Sequence, residues 1–195
     1  MNQSLRPGQL LALGLCINAL VAASLRGADG TFARQTPGDA DMVLVPAGPF
    51  TMGSFDGAPE ESPPQQLDLP AFYIDRKEVT VADYAAFLAA TDHPAPPGWV
   101  DRQPPGGILD VPVTNIRWAD AMRFALWTGK RLPTEAEWEK ASRGTDGRRF
   151  PWGHADEAAR RNKDSGKLRP AGSFPDGRSP YGRPDMTGHA WERAA

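Results

Sequence analysis

Twenty glycines and twenty prolines, about a fifth of the chain, set the terms for any fold this sequence can adopt. Proline removes a backbone donor and glycine loosens the chain, so this density gives short elements joined by many turns rather than a helical bundle. Six tryptophans then have to fill much of the interior, because long regular elements do not. At 195 residues there is enough chain for one domain with a core. A formal charge of −2 gives no electrostatic case for nucleic acid as a partner.

The one cysteine, Cys16, lies in "LLALGLCINALVAAS", residues 10–24, behind a short start that carries Arg6. A charged start, an apolar stretch and small residues at Val21, Ala22, Ala23 and Ser24 read as a secretory signal over residues 1–24. The stretch is short for a membrane span and carries the polar Asn18. Leu15 stands where a lipoprotein cysteine wants a small neighbour. Cleavage after Ala23 or Ser24 is therefore expected. The product would be exported to the periplasm or medium, free of the membrane and without cysteine. Residues 25–40 read as a polar linker and 41–195 as the folded domain.

Within that domain, Met42 to Val45 and Pro49 to Met52 read as two strands around a turn. "FDGAPEESPPQQLDLP" reads as a proline-rich surface loop, and "AFYIDRKEVT" as a strand with Phe72 and Ile74 on one face. Thr80 and Asp83 form a capping-box pattern, which starts a helix with Tyr84, Phe87 and Leu88 on its apolar face. A second helix from about Arg117 puts Trp118, Ala121, Met122, Ala125 and Leu126 on one stripe and ends at Gly129. Thr134 and Glu137 make a full capping box for a third, with Trp138 and Ala141 inward and Gly144 as its stop. From Thr145 onward the sequence is turns. The class is α+β with much irregular structure.

Five phrases stand in order along residues 42–192: "MVLVPAGPFTMGS", "FYIDRKEVTVADYAAFL", "PVTNIRWADAMRFALWTGKRLPTEAEWEKASRG", "FPWG" and "SPYGRPDMTGHAWE". Together they resemble the formylglycine-generating enzyme family, also called sulfatase-modifying factors. The resemblance implies a C-type-lectin-like fold with little regular structure. It also implies oxidation of a cysteine in a sulfatase-like protein substrate to Cα-formylglycine, with O2 and with copper held by two cysteines. Those cysteines follow a "GNVWEW"-like block in the family. Here that block is "GHAWER", with His189 for the usual Asn and Arg193 for the usual Trp, and three residues follow Glu192. The expectation is an incomplete domain whose C-terminal part and copper site are missing and whose oxidising activity is lost.

The same resemblance implies calcium at two places. One site would use the Asp185 side chain, the Gly188 and Ala190 carbonyls and the Glu192 side chain, since Ca²⁺ takes hard oxygens and accepts backbone carbonyls readily. A second would start at Asn162 and Lys163. Trp191 is expected to anchor the first loop into the core. The three histidines, His93, His154 and His189, share no ligand spacing. Glu135 and Glu139, at i and i+4, read as helix-start charges, and the resemblance implies that Arg131 is partly buried against the domain. Trp99 alone is left as a candidate for an exposed platform. Two other readings share these residues: a paralogue with different oxidative chemistry, such as siderophore chromophore maturation, and a non-catalytic lectin-like binding or scaffold module. No His-rich iron-binding segment precedes the module, which argues against an ergothioneine-type iron enzyme.

Overall fold

The computed structural model describes residues 16–17, 41–55, 57–162 and 165–195. Apart from the two-residue strand at 16–17, the leader lies outside the described residues, as do the linker at 25–40 and Lys163. The described elements are short. Strands β1 (Cys16–Ile17) and β2 (Met42–Val45) flank β5 (Phe72–Asp75) in one antiparallel sheet, in the order β1-β5-β2. Val43 is paired with Ile74 and Val45 with Phe72, so the period-2 alternation puts these four side chains inward together. Leu44 and Tyr73, opposite each other, face out.

A second sheet pairs β3 (Gly48–Met52) with β4 (Gln65–Leu69) in an antiparallel ladder from Gly48↔Leu69 to Met52↔Gln65. The proline-rich loop expected at 55–70 therefore ends in a strand. Gln66 and Asp68 are exposed and alternate with half-buried Leu67 and Leu69, and the Gln66 amide also donates to the Thr51 hydroxyl across the pair at 2.6 Å.

Three α-helices follow: α1 (Val81–Ala90), α2 (Trp118–Trp127) and α3 (Glu135–Arg143). Both expected capping boxes are present. The Asp83 and Glu137 N–H groups each donate to a threonine hydroxyl at 3.2 Å, from Thr80 and Thr134. Each acid's carboxylate accepts the threonine's own N–H in return, at 3.0 and 2.9 Å. Capping of this kind is worth about 1 kcal/mol each. The inner stripe of α2 is rotated from the expected one. Ala121, Phe124 and Ala125 are buried, while Trp118 and Leu126 are 48% and 66% exposed.

Two apolar clusters result. One gathers Tyr84, Phe87, Leu88, Phe124 and Leu132 around α1 and α2, and Trp99 packs against it rather than standing out as a platform. The other joins Val43, Val45, Phe72 and Ile74 of the sheet to Ala141 of α3 and to Met186. Lys140 ties α3 to the β2–β3 turn, its buried ammonium donating to the Pro46 and Gly48 carbonyls at 2.8 and 2.7 Å. Met186 brings the last segment of the chain against the sheet, and the charged side chains collect there.

Candidate functional site

Strand β5 ends at Asp75, and three residues later Glu78 turns inward, 3% exposed. Opposite them runs the segment from Ser179 to Glu192. A tight turn closes it first: the Ser179 N–H donates to the Arg183 carbonyl at 2.8 Å, and the Gly182 N–H to the Ser179 carbonyl at 2.8 Å. The backbone then passes through the left-handed region at Asp185 (φ 60°) and again at Gly188 (φ 75°). Asp tolerates that conformation better than most residues, and glycine adopts it without strain. These two reversals point Arg183, Asp185, Met186 and His189 into the interior, where all four are buried.

Each buried ion in this segment meets a definite partner. His189 Nδ1 lies 2.9 Å from both Glu78 oxygens. On the far side of the ring, the Arg169 backbone N–H donates to Nε2 at 3.1 Å. A ring nitrogen can accept that bond only when it carries no proton, so the hydrogen-bond network assigns the proton to Nδ1, which donates to Glu78. Burial raises the Glu78 carboxyl above its ordinary range, the His189 hydrogen bond opposes this, and the nearby Glu192 and Asp185 charges add to the rise. The Asp185 carboxylate accepts N–H bonds from Gly172 and, at 3.1 Å, from Phe174, and so holds the 170–174 turn. Arg183 forks onto Glu192, Nη2 to Oε1 at 3.0 Å and Nη1 to Oε2 at 3.2 Å, with side chains only 1% and 4% exposed. The Trp138 indole N–H also donates to Glu192. Beside the cluster Lys130 donates to Asp75 at 2.7 Å. Burial raises the Asp75 carboxyl, with Lys130 pulling the other way.

The structure therefore brings Asp185 and Glu192 into one charged cluster but gives them separate partners. Gly188 and Ala190 line a groove of about 1050 Å³ beside it, with Met52, Trp118, Trp138 and Trp191 among the other walls. Trp191 is 61% exposed, so it lines that groove instead of anchoring the loop in the core. Asn162 is spent locally: its amide donates to the Lys167 carbonyl at 2.8 Å and its oxygen accepts from Ser165 at 2.5 Å. Its expected companion Lys163 is outside the described residues. Glu135 is exposed, Glu139 pairs with Arg143, and Arg131 forks onto Glu137 at 2.7 and 2.5 Å. His93 pairs with Asp120 at 3.0 Å, away from His189.

Sequence reasoning missed Glu78 and Arg183. Glu78 lies 111 residues from His189 along the chain, so no local spacing could pair them. Arg183 carried only a weak signal, a cation two residues before Asp185 in a turn-rich stretch that also holds Arg178.

Of the metals that the resemblance implies, neither suits these residues well. The chain has one cysteine, Cys16 in β1, and so offers no thiolate pair for copper. For calcium the obstacle is Arg183, whose permanent positive charge already occupies both oxygens of Glu192. Glu78, Asp185 and His189 do place one ligand atom each within 4.8 Å of one another, but the ring proton on Nδ1 faces the carboxylate. Among the described residues no helix is long and apolar enough to cross a membrane.

Residues 29–195 match the family model described as the sulfatase-modifying factor enzyme 1-like domain. Among similar proteins, the hercynine oxygenase of Mycolicibacterium smegmatis is 35% identical over 189 residues, covering 77% of this chain and 44% of that protein. The formylglycine-generating enzyme of Streptomyces coelicolor is 36% identical over 157 residues, covering 57% of this chain and 50% of that one. The inactive C-alpha-formylglycine-generating enzyme 2 of Mus musculus is 31% identical over 213 residues, covering 80% and 69%. The chain thus spans about half the length of the first two.

Proposed function

The chain belongs to the sulfatase-modifying factor enzyme 1-like family, and we propose that it is an exported member whose domain type serves oxidative modification of a protein. The substrate class is a cysteine in a sulfatase-like protein, and the product Cα-formylglycine. Similarity to a hercynine oxygenase as well as to formylglycine-generating enzymes supports oxidative chemistry as the common ground.

Within residues 41–195 the reading is narrower: they supply the scaffold of such a domain and not its oxidising centre. The observation that carries this is the donor set. Copper(I) selects thiolates over carboxylates and amides, and the folded residues contain no thiol. The carboxylates nearest to a ligand set are held by His189, Arg183 and backbone N–H groups. A non-catalytic binding role is the second reading. It is favoured by the groove with its exposed Trp118 and Trp191, and by the similarity to a relative named as inactive.

The test supplies the exported chain with copper, O2 and a cysteine peptide of the sulfatase motif, and reads the peptide by mass spectrometry. No conversion is expected; formylglycine on the peptide overturns the scaffold reading. Intact-mass analysis of the same material is expected to show a start at Ser24 or Leu25. Material retained in the cytoplasm with Met1 in place overturns export.

A further inference from the structure

We infer that Arg183 is a built-in cation that takes the place of a divalent metal at the 185–192 loop, so that the loop is held shut without calcium. The loop has the features that would otherwise ask for a metal. Asp185 and Glu192 bring two carboxylates inside, Glu78 brings a third, and all three side chains are almost wholly buried. Carboxylates withdrawn from water need compensation by cations or hydrogen-bond donors.

Here every carboxylate has a partner that comes from the protein. Both Glu78 oxygens face the His189 Nδ1–H. Both Asp185 oxygens accept backbone N–H groups, from Gly172 and Phe174. Both Glu192 oxygens are taken by the two arms of the Arg183 guanidinium. The bidentate fork matches a carboxylate in shape, and the charge cannot be removed by deprotonation. A calcium ion bound to Glu192 would have to sit beside that guanidinium, where the two side chains are only 1% and 4% exposed. Repulsion there is screened far less than at the surface. Metal and arginine are therefore alternatives at one place, and this chain carries the arginine.

The experiment uses the full chain and three readouts: thermal melts in calcium and in EDTA, calcium titration calorimetry, and terbium emission sensitised by Trp191 and Trp138. The unmodified chain is expected to melt identically in calcium and EDTA, to show no calcium heat, and to give no saturable terbium emission. Arg183→Met removes the cation and leaves Glu192 with the Trp138 indole N–H but no positive charge. It is expected to melt lower, to regain part of the loss with calcium, and to acquire saturable terbium emission. Arg183→Met combined with Glu192→Gln removes the need for any cation and is expected to melt above the single variant, indifferent to calcium. A calcium-dependent melt or saturable terbium emission in the unmodified chain overturns the inference. A double variant that melts with or below the single one, both unfolded included, also overturns it.

Discussion

Around α1 and α2 the interior is aromatic: Tyr84 stacks on Phe124 with centroids 5.6 Å apart, and Phe87 meets Phe124 edge-on at 5.6 Å. Trp127 leans on both phenylalanines, and Tyr84 also meets Trp99 edge-on at 6.3 Å. Behind the β2–β5 sheet the apolar layer is thinner, and buried Glu78, Lys140, Arg183 and His189 stand among or beside it. The two regions fail in different ways. Dispersion and burial are spread over many contacts, so in the aromatic region the cost of a change follows the volume removed. In the charged region it follows which partner is left behind, because a lone buried ion costs more than its pair contributes.

The largest effect expected belongs to the aromatic side. Phe124→Ala removes a ring shared by Tyr84, Phe87 and Trp127, and is expected to cost about 3–5 kcal/mol in urea unfolding. Phe124→Leu, which keeps most of the volume, is expected to lose much less. Equal losses from the two variants would break the comparison, since volume would then not be the governing quantity.

A smaller, pH-dependent effect belongs to the charged side at α3. Burial alone would raise the Glu137 carboxyl, but the Arg131 fork and the Thr134 N–H outweigh it and leave the group below its ordinary range. A carboxyl lowered by folding contributes stability that is present above its unfolded value and lost as pH falls through the folded one. Glu137→Gln can keep the capping geometry while deleting the charge. At pH 7 it is expected to cost about 1–2 kcal/mol, reduced because the Arg131 side chain is one-third exposed. The difference between the two proteins is expected to shrink below about pH 4.3, where an unfolded glutamate begins to hold its proton. A gap constant from pH 7 to pH 3 would assign the loss to packing.

What could be read in advance divides along the same line. The helix starts were legible because Thr80 and Thr134 act on residues three positions away, and the faces of α1 and β5 because burial has a period. Strand β4 was not, because its alternation of Gln66, Leu67, Asp68 and Leu69 is only four residues long and the strand directly follows Pro63 and Pro64 of the loop. Phe124 was passed over on α2 because Trp118 and Leu126 are also large and apolar, and periodicity cannot tell which edge of a wide stripe turns outward. At the site, Asp185 and Glu192 could be singled out in a short block, while His189 read only as a departure from the usual Asn. Their meaning depends on Glu78 and on the backbone at 169–174, which only the folded chain brings near.

The smallest effect is expected where the large aromatic residue invites the opposite guess. Trp191 follows the site block and reads from sequence as the anchor of its loop, yet it is 61% exposed on the groove wall. A residue that gains little burial on folding loses little when truncated, and surface changes away from caps and ion pairs stay within about 0.5 kcal/mol. Trp191→Ala is therefore expected to leave the urea midpoint nearly unchanged while removing a large part of the iodide-quenchable tryptophan emission. Trp138→Ala is the control from the neighbouring position: it packs on the sheet cluster and donates to Glu192, so its loss is expected to lower the midpoint clearly. If Trp191→Ala costs as much as Trp138→Ala, the loop is anchored through Trp191 and not through the Arg183–Glu192 fork. The charged region would then depend on an aromatic side chain in the way the α1–α2 region does.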